Sequence, residues 1–559
     1  MKGKKFVALI TVIFLMVVAI GGCSTPSDSS PSATDQATAT PADQTKGTTS
    51  EELAEGGWMT PYPEPVTVTI VNNDVTTSSG TQFPEGEDVY NNMWTKAWKR
   101  DFNIEVKTLW VSSDYTTKLN LAIAAQDLPD IFYCDNVQFQ QLVEADLLQD
   151  LNEVYEEYAS PKLRKMLEQD DPDIFATIHI GDKLMAIPRL HYGYECMTYF
   201  MWIKKNWMEE AGSPEIKTLD QFEDLMETFM EKYDSPYAMP LSKNLEQFFY
   251  MAPTWHVYPK IWLDDGAGKI VYGSTMPEMK NMLAKWAEWY KEGILRPDFA
   301  TLDFDTMEAD VLNGVVGVQP GENWYSWTIA DTLKNTGEGT WLEAYDLPSV
   351  DDKPVKYPIP FPNSVNNVVT KQCEHPEVLI KLIDYYVYLL NESVANGDKK
   401  IEEVLPFTEN NMHHCTGPFK VEFRSYDDVK EVVAAVKTGK PEFSSGYVYN
   451  YYNEVMKWYN SKDPTALGRT LQMGQERSSL NLAVGYVDRN LLIKSKLWGV
   501  SPQALLDYGT NLDELLAVGF TKIIMNEEPV DYFDQLIEEW KAAGGEEVTI
   551  AVNEMYGGK

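Results

Sequence analysis

Residues 65–74 read PVTVTIVNND, and this stretch opens the pattern that decides the fold. Val66, Val68 and Ile70 alternate with threonines, which is typical of a strand with one buried face. A helix, a second strand, a second helix and a third strand follow, the last within LPDIFYCDN (128–136). This order predicts an α/β fold built on a parallel sheet.

The carboxyl ends of these strands are the first place to expect a ligand. In parallel α/β sheets, ligands bind beyond those ends. Here the ends are residues 72–74 and 133–136, which carry asparagine, aspartate and tyrosine side chains. Polar and aromatic groups are therefore expected at one edge of the sheet.

A second stretch, VVGVQPGENWYSW (315–327), combines an apolar run with closely spaced rings. Val315 to Val318 is predicted to be a strand. Pro320 and Gly321 are expected to end it, because proline cannot donate a ladder hydrogen bond. Three aromatic residues follow within four positions: Trp324, Tyr325 and Trp327. They are either core residues after a loop or an aromatic platform at the mouth of a cleft.

The middle and C-terminal parts show helical periodicity. Thr218 and Gln221 have the capping-box spacing at the start of one helix. A later helix is predicted with Thr275 as its cap, Pro277 in its first turn and Gly293 as its end. The residues expected to form the apolar face of this later helix are Met279, Met282, Leu283, Trp286 and Tyr290.

The N-terminus predicts export. Three lysines precede an apolar run of about fifteen residues, which suits a signal-peptide core better than a membrane span. The run ends in IGGC, which resembles a bacterial lipobox, so Cys23 is expected to become the lipid-bearing first residue. The alternative is an ordinary secretory signal with an incidental cysteine. Residues 24–57 lack aromatic residues, so we expect a flexible tether with a reach of roughly 30 Å.

Composition narrows the possible partners. About five hundred residues follow the tether, which is too many for one core and predicts at least two lobes. The net charge of −38 argues against nucleic acid and anionic lipid as partners. Four cysteines remain after Cys23, so one disulfide is possible and none is required: Cys134, Cys196, Cys373 and Cys415.

Motifs for catalysis are missing from the sequence. It has no Gly-x-Ser-x-Gly, His-Glu-x-x-His or P-loop pattern. The acidic run at 168–173 is expected by chance in so acidic a chain. The MHHC stretch (412–415) is the densest histidine cluster, but adjacent side chains point apart. We therefore expect no enzyme activity, no cofactor and no metal site.

Five segments together resemble bacterial extracellular solute-binding proteins of the family 1 type, and most closely the large sugar-binding lipoproteins of Gram-positive bacteria. The segments are LAIAAQDLPDIF (121–132), GDKLMAIPRL (181–190), PEIKTLDQFEDL (214–225), WYKEGILRPDFA (289–300) and the terminal module at 520–556. Each motif is weak alone. Their order across most of the chain, behind a lipobox, makes the resemblance strong.

The resemblance implies a periplasmic-binding-protein-like fold of type II, in which two α/β lobes joined by hinge strands close on a ligand. Such proteins deliver the ligand to the membrane permease subunits of an ABC importer, and a monomer is expected. The implied division is a signal peptide 1–22, a tether 23–58, a first lobe 59–188 and about 325–415, and a second lobe 189–324 and about 416–559 with a helical C-terminal module.

The resemblance also supplies ligand-binding candidates. Trp324 stands where the sugar-binding families have a stacking tryptophan, Trp327 is a second candidate, and Tyr325 is expected to pack inside. The other candidates are Asn73 and Asp74 at the first strand end, Tyr133 and Asp135 after the third strand, His191 and Tyr192 past the hinge proline, and Glu246 and Trp255 in the second lobe. The calcium loop of many relatives is replaced here by EKYDSPYAMPLS, so calcium is not carried over.

These observations predict a lipid-anchored protein on the outer face of the cell membrane that binds a carbohydrate, with an oligosaccharide favoured by the abundance of aromatic residues. Aromatic faces lie against the C–H faces of sugar rings, while planar polar side chains bind the hydroxyls. A surface glycosidase, a carbohydrate adhesin, and a binding protein for a peptide or another polar solute remain as alternatives.

Overall fold

The computed structural model describes residues 57–170, 172–189, 198–336, 341–359, 365–420, 426–439, 443, 445–474 and 477–557. The strands are β1 (Val66–Asn73), β2 (Ile104–Ser112), β3 (Ile131–Cys134), β4 (His179–Ile180), β5 (Lys183–Leu184), β6 (Ile187–Pro188), β7 (Tyr199–Lys204), β8 (Trp262–Asp264), β9 (Ile270–Tyr272), β10 (Val318–Glu322), β11 (Leu342–Tyr345), β12 (Tyr357–Ile359), β13 (Asn366–Val369) and β14 (Leu492–Lys494).

Helices dominate the rest of the described chain, and short 3₁₀ and π turns join several of them. The α-helices are α1 (Val75–Ser78), α2 (Met93–Phe102), α3 (Tyr115–Ala125), α4 (Asn136–Glu144), α5 (Asn152–Tyr158), α6 (Pro161–Arg164), α7 (Pro172–Thr177), α8 (Lys205–Glu210), α9 (Leu219–Tyr233), α10 (Glu246–Met251), α11 (Met279–Glu292), α12 (Phe304–Leu312), α13 (Tyr325–Thr336), α14 (Glu377–Val387), α15 (Ile401–Val404), α16 (Tyr426–Thr438), α17 (Gly446–Ser461), α18 (Leu467–Arg469), α19 (Ser479–Asp488), α20 (Gln503–Ile524), α21 (Tyr532–Trp540) and α22 (Glu546–Tyr556).

The strand and helix order predicted for the first hundred globular residues is confirmed. β1 and β2 are parallel, with Val66 opposite Ile104. β3 lies beside β1. The carboxylate of Asp130, the residue before β3, accepts from the backbone N–H of Thr69 on β1 at 2.7 Å and from the Thr69 hydroxyl. β13 then pairs antiparallel with both β3 and β6. The sheet region is therefore mixed, with the predicted parallel pair at its start.

A second sheet has the order β10–β7–β11, with both outer strands antiparallel to β7. The prediction for β10 was wrong in its position. The strand covers Val318–Glu322, so it begins where it was expected to end and contains both Pro320 and Gly321. An edge strand tolerates proline because one side of its backbone needs no ladder partner.

Two hydrophobic cores organise the described residues. The stretches that supply them are 66–187 and 368–484 for the first core, and 200–357 and 458–552 for the second. The helices between residues 446 and 488, here named the bridging helices, contribute to both. On α17, for example, Tyr451 packs in the first core and Trp458 in the second. The bridging helices therefore tie the two cores together.

The membership of the two cores indicates where the chain passes from one to the other. Residues from 325 onward were expected in the first lobe, yet Tyr325, Ile329 and Tyr357 are buried in the second core. Val368 on β13 lies in the first core. The change of core therefore falls between β12 and β13, while the lobe boundaries themselves stay a prediction.

Helix ends test the capping predictions. Thr218 forms the predicted capping box with Gln221 at the start of α9. Gly293 ends α11 in the left-handed region with φ 78°. The prediction for Thr275 was wrong, since α11 starts at Met279 after a separate 3₁₀ turn that contains Thr275. The predicted apolar face is confirmed for Met279, Met282, Leu283 and Trp286, which are fully buried, while Tyr290 is partly buried.

Two sequence predictions fall largely outside the described residues. Cys23, the signal peptide and nearly all of the tether precede residue 57. Cys196 also lies outside the described ranges, whereas Cys134, Cys373 and Cys415 are buried free thiols. Among the described helices, none is long and apolar enough to cross a membrane.

Lys381 on α14 anchors the first described residues. Its side chain is 2% exposed, and its Nζ donates to the carbonyls of Gly57 at 3.0 Å and Thr60 at 2.7 Å. The ammonium also lies 5.1 Å from the ring of Tyr62 and 5.3 Å from that of Tyr158. Burial lowers the pKa of Lys381 to about 8. The first described residues are thus fastened to the first core by a desolvated cation.

This burial predicts a pH-dependent stability difference between the wild type and Lys381→Met. The lowered pKa means that the unfolded chain binds more protons between pH about 8 and 10.5, so wild-type stability rises with pH in that window. Relative to Lys381→Met, the gain should reach about 3 kcal/mol. Urea unfolding across the window measures it, with exposed Lys107→Met as the control. A constant difference between wild type and Lys381→Met would contradict the buried, charged Lys381.

Candidate functional site

Around the carboxyl end of β3, a first group of polar and aromatic side chains is assembled by the first core. The ring of Tyr133 stacks on Tyr115 with centroids 4.3 Å apart and planes 6° from parallel. The Arg189 guanidinium lies 5.5 Å from the Tyr133 ring. The backbone of Asn73 hydrogen-bonds the Tyr133 hydroxyl, and burial raises the pKa of that hydroxyl to about 12. Asn73 and Tyr133 are therefore brought together, as the sequence predicted.

Further amides extend this group along β13. Asn366 donates to the Asn136 side chain at 2.8 Å, and Asn367 donates to the Lys420 carbonyl at 3.2 Å. The Lys420 ammonium lies 3.2 Å from Nδ1 of His414, inside the MHHC segment and its flank. Asn366 is 1% exposed and therefore contributes packing and not ligand-facing surface. We call Asn73, Tyr133 and Arg189 the first wall of the candidate site. The first wall offers one amide group, one guanidinium and a stacked ring.

Asp74 and Asp135, both predicted to bind ligand, cap helices. The Asp74 carboxylate accepts from the backbone of Thr76 at 3.0 Å and from its hydroxyl at 2.6 Å, and these bonds lower the pKa of Asp74. Asp135 forms a capping box with Gln138, whose backbone N–H donates to it at 2.8 Å. Each carboxylate therefore already has a structural partner at the start of α1 or α4.

The second group surrounds Trp324, which lies between β10 and α13. Its side chain is 43% exposed, and its Nε1 donates to the Glu322 carboxylate. Phe304 lies beside it with ring centroids 6.1 Å apart. Tyr325 is fully buried against Trp202, so its predicted packing role is confirmed. One ring of the cluster is thus presented to solvent while its neighbour fixes the turn.

Two tyrosines complete the second group. Tyr199 and Tyr250 have ring centroids 4.9 Å apart, and Glu322 lies opposite Tyr199 in the β7–β10 ladder. Burial, followed by the charges of Glu322, Tyr199 and Glu246, raises the pKa of Tyr250. Burial also raises the pKa of Glu322, although Trp324 donates to it. We call Tyr199, Tyr250, Glu322 and Trp324 the second wall, an acidic and aromatic surface.

Glu246, another candidate, lies at the margin of the second wall. It is the first residue of α10 and accepts from the side chains of Ser242 and Asn244. Its charge acts on Tyr250, which places its carboxylate near the second wall. These contacts hold the side chain beside the tyrosine pair.

The remaining candidates are Trp255, Trp327, His191 and Tyr192. Trp255 is 6% exposed and packs edge-on against Trp289 in the second core, which leaves its ring little free surface. Trp327 is half-exposed but lies over Gly468, where a Cβ would come within 2.4 Å of its ring. His191 and Tyr192 lie outside the described residues.

Several wall residues were missed by reasoning from the sequence. Arg189 directly follows the Ile-Pro pair of β6, so its position beside the hinge was a usable signal. Glu322 lies two residues before Trp324, so its nearness to that candidate could also have marked it as a site residue. Tyr199 and Tyr250 meet through long-range packing between β7 and α10, which no local pattern reveals.

Comparison with known proteins identifies the family. The family model described as bacterial extracellular solute-binding protein matches residues 81–387. This match covers more than half of the 559-residue chain. The chain belongs to this family. The resemblance found in the sequence is therefore confirmed.

Individual members of the solute-binding family are distant. Lipoprotein LipO from Bacillus subtilis (strain 168) is 22% identical over 498 residues, covering 82% of this chain and 88% of LipO. An HMO-binding, ABC-transporter-associated solute-binding protein from Bifidobacterium longum infantis superposes with a TM-score of 0.59 at 14% identity, covering 88% of this chain and 98% of that one. The alginate-binding protein AlgQ2 gives a TM-score of 0.57 at 16% identity, with coverages of 89% and 98%.

These structural matches bear on the fold. Both solved structures are solute-binding proteins, and each is covered almost completely by this chain. The predicted α/β, periplasmic-binding-protein-like fold is therefore confirmed. At identities of 14% and 16%, a structural match supports the fold alone. The ligand is inferred from the side chains of the candidate site.

The helix-capping role of Asp135 can be tested directly. Asp135→Ala removes the acceptor for the Gln138 backbone N–H, so the free energy of unfolding should fall by about 1 kcal/mol. Asp135→Asn retains a capping oxygen and should restore most of the loss. Urea unfolding of both variants provides the measurement. Equal stability of wild type and Asp135→Ala would contradict the cap.

Proposed function

We propose that this solute-binding protein captures an oligosaccharide between its two lobes and delivers it to an ABC importer. The observation that carries the proposal is the exposed ring of Trp324 beside the Glu322 carboxylate. A pyranose ring needs an apolar face to lie on and an acceptor for its hydroxyls. An exposed indole next to a carboxylate supplies both groups in one place.

The first wall supplies the complementary polar groups. Asn73 and Arg189 carry an amide and a guanidinium group, which bind vicinal hydroxyls through planar, directed hydrogen bonds. The stacked pair of Tyr115 and Tyr133 adds a rigid aromatic edge. A ligand held by both walls therefore gains stacking from one lobe and directed hydrogen bonds from the other. The HMO-binding and alginate-binding structural neighbours agree with a carbohydrate ligand.

Delivery is proposed to depend on lobe closure. A ligand that contacts both walls in the closed state alone shifts the population toward that state by its differential affinity. The bridging helices keep the two cores joined during this movement. The closed form would be the state that the permease subunits bind. We propose that the protein acts as a monomer held to the membrane by lipid on Cys23, with its body outside the cell.

Oligosaccharide binding is the first prediction of this proposal. Isothermal titration with kestose, maltotetraose, xylotetraose, lacto-N-tetraose and alginate tetrasaccharide should give saturable binding for at least one sugar, without release of reducing ends. Trp324→Ala should weaken that binding by about 2 kcal/mol, or roughly 30-fold in Kd, because it removes a central aromatic contact. Trp324→Phe should lose less, because it keeps a ring.

The control for this titration is Tyr90→Ala, which removes an exposed ring that lines a surface hollow with Thr67 of β1 and Val106 of β2. It should leave Kd unchanged. Equal affinity of wild type and Trp324→Ala would remove Trp324 from the binding site. Binding of a peptide library in place of all sugars would contradict the carbohydrate ligand, and sustained sugar hydrolysis would contradict a binding protein.

Lipid attachment gives a second prediction. In a bacterial host, wild-type protein should fractionate with membranes and incorporate an alkyne analogue of palmitate. Cys23→Ala removes the thiol that would carry the lipid, so label and membrane association should both be lost. Ser24→Ala is the matched neighbour and should retain both. Labelled, membrane-bound Cys23→Ala protein would show that Cys23 is not the anchor.

A further inference from the structure

Arg469 at the end of α18 contacts side chains of α17 and α13. It is 7% exposed, and its Nε donates to the Glu454 carboxylate of α17 at 2.8 Å. Its guanidinium lies 4.1 Å from the ring of Tyr451 and 5.0 Å from the ring of Trp327. A planar cation is thus held between two aromatic faces, one in the bridging helices and one on α13.

A second contact leads from Arg469 towards Trp324. One terminal nitrogen of the guanidinium donates to the side-chain oxygen of Gln472 at 2.7 Å. The amide nitrogen of Gln472 lies 3.5 Å from the carbonyl oxygen of Asn323 and 3.4 Å from its side-chain oxygen. Asn323 is the residue directly before Trp324. Arg469 is therefore linked through one buried amide to the turn that presents the Trp324 ring.

The backbone of α18 also contacts Trp327. The Trp327 ring covers Gly468, and a Cβ at that position would come within 2.4 Å of the ring. The absence of a side chain at 468 lets α13 approach α18 closely. Trp327 therefore serves as a contact between the two helices, although its side chain is 41% exposed, close to the 43% of Trp324 three residues earlier.

The residues around Arg469 also belong to different cores. Tyr451 packs in the first core, whereas Leu467 and Leu471 on either side of Arg469 pack in the second. The Arg469 contacts therefore join the bridging helices, which touch both cores, to the Trp324 turn of the second wall. A shift of these helices would reach Trp324 through Gln472 and Trp327.

We infer that Arg469 is a positioning residue that sets the orientation of Trp324 through Gln472 and Trp327, and so couples the aromatic platform to the helices that join the two lobes. Its importance for ligand binding rests on the proposed function. The positional claim itself concerns this chain's own residues and is tested without a ligand. Lysine cannot take this role, because a point charge on a flexible stem neither stacks between rings nor keeps the Gln472 bond in place.

The test is ¹⁹F NMR of full-length protein labelled with 5-fluorotryptophan. The resonances of Trp324, Trp327 and Trp110 are assigned by single Trp→Phe variants. Gln472→Glu keeps an oxygen for Arg469 and removes the nitrogen that faces Asn323, so the Trp324 resonance should shift or broaden while that of Trp110 stays in place. Arg469→Lys should move the Trp324 and Trp327 resonances together.

The control is Arg489→Lys, directly after α19, whose guanidinium donates to the Gly485 carbonyl and lies 5.5 Å from the Tyr486 ring. It should leave the Trp324 and Trp327 resonances unchanged. An unchanged Trp324 resonance in both Gln472→Glu and Arg469→Lys would overturn the inference. This holds even if the Trp327 resonance shifts. If Arg469→Lys fails to fold, Gln472→Glu decides alone. A failed oligosaccharide screen contradicts the proposed function and leaves this result standing.

Discussion

The antiparallel pairing of β10 with β7 is the constraint on which the second wall depends. The ladder sets Glu322 opposite Tyr199, and the Trp202 indole donates to the Glu322 carbonyl at 3.2 Å. Tyr325, three residues after the end of the strand, is buried, so the turn between them has little freedom. Trp324 is therefore held at the surface by the strand ladder on one side and by buried Tyr325 on the other, which limits the side-chain and backbone entropy that a ligand would have to remove.

The two walls differ in their chemistry. The second wall places one carboxylate among rings, and burial raises the pKa of that Glu322 carboxyl. The first wall presents the Asn73 amide and Arg189 against a stacked tyrosine pair. A neutral, hydroxyl-rich molecule satisfies both surfaces, because hydroxyls donate to carboxylates and accept from amide and guanidinium groups. In the proposed closure, each wall would supply the hydrogen-bonding groups that the other wall lacks.

Local patterns predicted the parts of this molecule that local physics controls. The alternation in PVTVTIVNND identified β1, and the strand order located Asn73 and Tyr133 at one edge. The spacing of Asp135 and Gln138 also fits a capping box, although Asp135 was predicted to bind ligand. Trp255 differs from Trp324 in long-range packing against Trp289, and the meeting of Tyr199 with Tyr250 depends on the same kind of contact. Such contacts leave no periodic trace in the sequence.

The most direct measurement is a crystal structure with the tightest-binding oligosaccharide of the titration series. One sugar ring should lie against the Trp324 indole with a hydroxyl bound by Glu322, and the same ligand should contact Asn73, Tyr133 or Arg189 of the first wall. An oligosaccharide bound elsewhere, with Trp324 still exposed to solvent, would contradict the account.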